Sequence, residues 1–317
     1  MNDRSYRNLD SDGNCAENLV YLDSPDWKKD IRIKNLDNIR ILTYNVHGFT
    51  DRKQKPTFNE IMDVIKRINP DIIVIEEFVL YGVKKQITYS QFKKILSDLG
   101  FVAITTDRLQ NNVTASKFPA TINPTIELGR DPTHNIWRFA NLMIVDLSGI
   151  DSSPLILVGT HLDVYDETGK TRIKQANMIC ETIDDEVENM RVQALISNKK
   201  FSEPIIIVTG DFNCLRPDDY DDYEWNHMCR VDRMRGVDTH RMKSKVNQKI
   251  DAITVFESVN LIDASVQLQN PINLSVWANR RVDYICGRNI DFKQATAVRI
   301  ASSDHYPVYA DFRPQKH

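Results

Sequence analysis

Apolar side chains recur along this chain with two different periods. Short β-branched runs, closed by Gly, Pro, Asn or Asp, occupy Ile39–Tyr44, Ile72–Ile75, Phe101–Thr105, Leu142–Leu147, Leu155–Thr160, Ile205–Thr209, Val282–Cys286, Ala295–Ile300 and Val308–Phe312. Runs of that length and composition predict strands. Between them apolar residues return every three or four positions, which is the helical period. Phe58, Ile61, Met62, Ile65 and Ile68 mark one helix that Asn69-Pro70 closes, and Phe92, Ile95, Leu96 and Leu99 mark another that Gly100 closes. A longer helix is expected from Thr171 to Ser197, burying Ile173, Ala176, Cys180, Ile183, Val187 and Met190, and a further one from about Lys249 to Ser258. Thr121–Leu128 followed by Arg138–Leu147 reads as an antiparallel pair. Strands outnumber helices. The mixture predicts an α/β chain, a two-sheet β-sandwich flanked by helices on both outer faces.

Residues 1–37 are polar and carry neither period, so they read as an N-terminal extension with a short docked segment at Leu19–Leu22. No linker interrupts the stretch from Ile39 to Phe312, and residues 38–317 read as one catalytic domain. Lys and Arg total 41 against 44 Asp and Glu, a net charge of −3. That balance excludes nucleic-acid binding by bulk charge alone, because counterion release needs clustered cations; a local basic patch stays open. No apolar run approaches the ~20 residues of a membrane helix, so no integral membrane segment is expected. Met1 to Asp10 has no apolar core of a secretory leader. The chain is therefore expected to be intracellular, cytoplasmic or nuclear, and not secreted. Five cysteines without a CxxC pair fit free thiols in a reducing compartment, and a zinc site from Cys214, His227 and Cys229 would need irregular spacing.

The informative feature is what ends the strands. Ile41–Tyr44 runs into Asn45-Val46-His47-Gly48, and Ile72–Ile75 into Glu76-Glu77. Leu155–Gly159 runs into Thr160-His161-Leu162-Asp163, Ile205–Gly210 into Asp211-Phe212-Asn213, and Ser303-Asp304-His305-Tyr306-Pro307 precedes the last strand. Any one of these acids or amides is ordinarily a turn former or a helix cap. Their repetition at one end of several buried strands is not explained that way, since loops on a rigid sheet are where sites are built. Carboxylates with amides and no thiolate cluster suit a hard cation such as Mg²⁺.

These motifs, together with Ser116-Lys117-Phe118-Pro119 and Arg281-Val282-Asp283-Tyr284, resemble in composition and order the endonuclease/exonuclease/phosphatase superfamily of DNase-like, metal-dependent phosphoesterases. The resemblance spans residues 39–312. It implies a four-layer sandwich, a Mg²⁺ cofactor with Mn²⁺ as a substitute, and hydrolysis of phosphate esters by in-line attack of water. It makes Glu77 the principal metal ligand, with Asn45 and Asp304 beside it, and Asp211 the residue that activates the water. Asn213 would hold water or a phosphate oxygen, His305 and His161 would contact the phosphate, and Asp283 would orient His305. Glu76 would be the neighbour of Glu77 pointing to the opposite face, as strand alternation requires. His47 stands where nuclease members often carry Asp, and the tyrosine that some apurinic-site endonucleases place over the phosphate has no clear match.

Substrate choice rests on less. Asn226 to Lys249 gathers Arg230, Arg233, Arg235, Arg241, Lys243, Lys245 and Lys249 against two aspartates, either a solvated loop or a phosphate-tracking arm. Arg281 and Trp277 are candidate substrate contacts. Arg281-Val282-Asp283-Tyr284 resembles the nuclease and tyrosyl-DNA phosphodiesterase branches more than the inositol phosphatases. The expected partner is therefore nucleic acid, a nucleic-acid adduct or another phosphodiester. A phosphoesterase of lipid or inositol phosphates, or a non-catalytic phosphate-binding member, is the alternative.

Overall fold

A strand covered on both faces reads as an unbroken apolar run, and here such runs form the centre of two sheets. The computed structural model describes residues 24, 26–79, 86–130, 135–150, 153–166, 168–234, 251–269, 272, 274–276 and 280–314. β1 (Ile39–Asn45) and β2 (Ile72–Glu76) are parallel and buried along their whole length. With β3 (Ala103–Thr106), β4 (Val113–Ser116), β12 (Ile290–Ala297) and β13 (Val308–Pro314) they make a six-stranded sheet in the order β12-β13-β1-β2-β4-β3. The second sheet has seven strands. Its centre is the parallel pair β8 (Leu155–His161) and β9 (Ile205–Asp211), again buried throughout. β10 (Ile262–Asp263) and β11 (Asp283–Arg288) extend it on one side; β7 (Trp137–Val145) extends it on the other and pairs with both β5 (Ala120–Ile122) and β6 (Ile126–Arg130).

Strand alternation assigns each apolar residue to a layer. Ile39, Ile41 and Ile72 meet Leu155, Leu157, Ile205 and Ile207 between the sheets. Leu42, Tyr44, Ile73 and Ile75 face outward onto α1 (Phe58–Ile68) and α2 (Tyr89–Asp98). Ile156, Val158, Ile206 and Val208 face outward onto α3 (Lys170–Ile196) and α5 (Ala252–Ser258). The result is the helix–sheet–sheet–helix sandwich expected. α4 (Asp222–Met234) and α6 (Ala264–Gln267) lie in the connections. No described helix is long and apolar enough to cross a membrane.

Some details depart from the sequence reading. Thr121–Leu128 is two strands, because Pro124 between them has no N–H for a ladder. β4 is a strand despite Thr114 and Ser116, which are fully buried. α5 begins at Ala252, where Asp251 caps it; Lys249 and Ile250, like Leu19–Leu22, lie outside the described residues. Within the N-terminal stretch, Trp27 and Ile31 pack against the α1 side of the core, and Lys34 pairs with Asp71 at 2.7 Å.

The register explains where a site forms. Asn45 pairs with Glu76 across β1 and β2, His161 with Asp211 across β8 and β9, and Asp283 with Asp211 across β11 and β9. One edge of the sandwich thus collects Asn45, Glu76, His161, Asp211 and Asp283. Gly210 makes the last step into Asp211 possible: its φ is 144°, and a Cβ there would lie 1.8 Å from the Thr160 carbonyl oxygen. Gly210→Ala is expected to destabilise the fold by about 3 kcal/mol, measured by urea unfolding.

Candidate active site

Asp211 is the centre of the edge. Its Oδ2 accepts a hydrogen bond from Asn45 Nδ2 at 3.1 Å, and its Oδ1 accepts one from the Asn213 backbone N–H at 2.9 Å. The same Oδ2 lies 3.6 Å from His161 Nε2 and 3.7 Å from His305 Nε2. His305 turns its other nitrogen to Asp283, with Nδ1 at 2.9 and 3.2 Å from the two carboxylate oxygens. Glu77 Oε1 reaches to 3.9 Å from His161 Nε2. Glu77 and Asn213 both have left-handed φ, 52° and 51°, so the backbone swings out of the strand at each. Such conformations carry a cost and concentrate at sites where the surroundings enforce them.

Two serine hydroxyls lock the frame. Ser275 Oγ accepts from the backbone N–H groups of Val282 (2.9 Å) and Asp283 (3.0 Å). Ser303 Oγ donates to the Asn45 carbonyl (2.8 Å) and accepts from the His305 N–H (3.2 Å), tying the first strand to the final loop.

Burial, opposed by His305 and reinforced by Asp283 and Glu77, pushes the Asp211 carboxyl up to about 7. Burial and Asp304 likewise raise Glu77. Burial pulls His305 down, but Asp283 and Asp211 outweigh it and hold the imidazolium well above the usual histidine range. His161 goes the other way: burial, with the charges of Arg138 and His305, keeps it neutral. A neutral His161 facing two carboxylates through Nε2 carries its proton there, which leaves its buried Nδ1 as an acceptor without a partner. Glu76 is a different carboxyl. It accepts from Thr43 Oγ1 at 2.6 Å beneath the site, its Oε2 has no partner, and burial raises it well above its ordinary value.

The site can therefore present a base near neutrality (Asp211), a cationic donor (His305) and a neutral donor (His161) to one small volume. The donor set also fits a hard divalent cation. It is rich in carboxylate oxygen, Glu77 and Asp211 are both raised by burial, and ligand atoms of Asp211, Asp283 and His305 lie within 4.8 Å of one another. Within that group His305 Nδ1 and Asp283 already bond each other, and Glu77 lies alongside with Oε1 3.9 Å from His161 Nε2.

Residues 42–305 match the endonuclease/exonuclease/phosphatase family. The chain belongs to that family. Solved structures agree at the level of fold. An endonuclease/exonuclease/phosphatase from Beutenbergia cavernae DSM 12333 superposes with a TM-score of 0.59 at 16% identity, covering 87% of this chain and 72% of that one. A mannosyl-6-phosphatase of Bacteroides thetaiotaomicron VPI-5482 gives 0.56 at 12% identity, covering 87% and 99%. D. rerio TDP2, solved with a single-strand DNA product, gives 0.50 at 15% identity, covering 87% and 99%. No curated protein matches the chain by sequence.

Not every residue singled out in the sequence converges on Asp211. Asn213 is committed to the frame, its Nδ2 donating to the Leu162 carbonyl at 3.1 Å. Asp304 sits on the rim, half-buried, 3.9 Å from His47 Nδ1. Arg281 is turned into the fold. It is 1% exposed, donating to Asp263 and Ser265 at 2.5 Å each and to Asp219 at 3.4 Å, so its guanidinium braces β10 and α6 against β11. Trp277 and residues 235–250 of the basic segment lie outside the described residues. The sequence pattern does not single out Ser275 or Arg138, and gives Ser303 a place in a motif but no role; serines are too common to signal, and Arg138 sits inside an apolar strand.

Cys180, Cys214, Cys229 and Cys286 are buried thiols. Burial pushes Cys180 up to about 11 and Cys214 and Cys286 well above the ordinary thiol value. Cys214 adjoins Asn213, and its burial favours the protonated thiol there. Iodoacetamide at pH 8 is expected to leave Cys180, Cys214 and Cys286 unmodified in the folded protein and to alkylate them in guanidinium, read by mass spectrometry.

Proposed function

We propose that this family member is a Mg²⁺-dependent phosphodiesterase acting on nucleic acid or a nucleic-acid adduct, at an intracellular site. The observation that carries the reading is the pair of Asp211 Oδ2 and His305 Nε2, facing each other at 3.7 Å with Asp283 behind the histidine. Asp211 takes the proton of an attacking water, with Asn45 and the Asn213 N–H fixing its orientation. His305, held as imidazolium by Asp283, donates to a phosphoryl oxygen as charge grows on it, and His161 donates from the neighbouring side. Glu77, with Asn45 and Asp304, would hold the ion. Bound there, Mg²⁺ supplies Lewis-acid stabilisation of the developing negative charge.

Preference for nucleic acid is supported by the Arg281-Val282-Asp283-Tyr284 and Thr160-His161-Leu162 motifs and by the basic run after α4. It is tested by hydrolysis of single-stranded and duplex DNA, RNA, a 5′-tyrosyl oligonucleotide, an inositol phosphate and sphingomyelin at rising salt. Cleavage of a nucleic-acid substrate, with KM climbing steeply with salt, is the expected result. Turnover confined to inositol phosphate or sphingomyelin would overturn the substrate assignment.

A further inference from the structure

Among the described residues, fully buried arginines are held by carboxylates, with one exception. Arg40 is clamped by Asp311, Arg172 by Asp251, and Arg281 by Asp263 and Asp219. Arg138 is the exception. It is 6% exposed, its buried Nε has no partner, and its guanidinium makes no hydrogen bond or ion pair with any described residue. The terminal nitrogens are not among the buried unpartnered atoms, so the stem is packed away while the fork keeps access to solvent, and a buried unpaired Nε beside it marks a place where a counter-charge can arrive from outside.

Its position says which counter-charge. Ala140, two residues along β7, pairs with Thr160, the residue before His161. The Phe139 carbonyl between them accepts from Asn112 Nδ2 at 3.1 Å and Thr160 Oγ1 at 3.5 Å, which pins the Arg138 end of β7 against the catalytic end of β8. Guanidinium matches phosphate oxygens by its planar fork. We propose that Arg138 forms an anion subsite beside the catalytic centre, which selects substrates carrying a second phosphate next to the scissile one. The substrate class rests on the phosphodiesterase reading. A polynucleotide chain has such a phosphate on every neighbouring nucleotide; a lone phosphomonoester or a phosphocholine lipid does not.

The test separates the subsite from the chemistry. Pyrophosphate is titrated calorimetrically at pH 6.5 with EDTA into full-length wild type, Arg138→Met and Arg138→Lys. Wild type is expected to bind, with affinity about 10- to 100-fold weaker in Arg138→Met and intermediate in Arg138→Lys. Equal affinity in wild type and Arg138→Met, or no binding by wild type, overturns the subsite. Thermal melting guards against misfolding: removing an unpaired buried cation is expected to leave Tm unchanged or raise it, whereas a lower Tm would make Arg138 a structural residue and contradict the proposal. Hydrolysis of thymidine 5′-p-nitrophenyl phosphate with and without a 3′-phosphate then reads selectivity. Wild type is expected to show the lower KM for the ester that carries the 3′-phosphate, and Arg138→Met to lose that difference; equal KM values in wild type overturn the substrate class. Pyrophosphate binding through Arg138 in a protein that cleaves neither ester would sink the phosphodiesterase reading while the subsite stands.

Discussion

Asp211→Asn is expected to lower phosphodiester turnover about 10²–10⁴-fold while leaving the fold intact. The substitution keeps the shape of the side chain but removes the proton acceptor. It also puts an amide where Asn45 Nδ2 and two imidazoles now point at a carboxylate. Stability should not follow activity. Asp211 is 1% exposed and burial pushes its carboxyl up to about 7, so its charged form is disfavoured in the folded protein. A raised acid contributes stability that is present below its unfolded pKa and is lost as pH rises through its folded one. At pH 8 in EDTA that contribution is gone, and the uncharged variant should melt no lower than wild type. Steady-state kinetics with thermal melting at pH 8 reads both. Turnover near wild type would remove Asp211 from the chemistry, and a large drop in Tm would make the lost activity a folding effect.

The second large effect is that of the metal. Mg²⁺ is expected to raise Tm, and to raise it more at pH 8 than at pH 6. Glu77, which would hold the ion, and the neighbouring Asp211 are both raised by burial, so at pH 6 protonation, chiefly of Asp211, removes negative charge that favours the ion, and at pH 8 it does not. At an ion concentration about a hundred times Kd, binding to the native state alone adds about 2.7 kcal/mol, which for a chain of this size is a shift of several degrees. Glu77→Gln should lose most of the shift at both pH values. Differential scanning calorimetry with Mg²⁺ or EDTA measures it, and an equal shift in wild type and Glu77→Gln would move the ion away from Glu77.

Much of this arrangement is legible in the amino-acid pattern. Strand runs and their polar ends point to Asn45, Glu77, His161, Asp211 and His305, the family resemblance adds Asp283, and period-two alternation separates Glu77 from Glu76. The left-handed turn that carries Glu77 out of β2 is not legible, because its φ of 52° depends on the neighbouring chain: the Glu77 and Glu76 carbonyls accept from the Gly48 and Val46 N–H groups. Arg281 misleads for a related reason. Its partners Asp219 and Asp263 are distant in sequence, and local spacing holds no trace of them. β4 is hard to see because Thr114 and Ser116 look like surface residues, yet they stand between strands on both sides. Arg138 escapes because an unpaired cation is defined by what is missing around it, which only packing reveals.

The central claim is that one metal-assisted centre at this sheet edge hydrolyses phosphodiesters. It is tested most directly by incubating a labelled single-stranded oligonucleotide with wild type and Asp211→Asn, each with Mg²⁺ and with EDTA. Cleavage by wild type in Mg²⁺ alone, lost in EDTA and in the variant, is the predicted result. Cleavage that survives EDTA, or that Asp211→Asn retains undiminished, would contradict it.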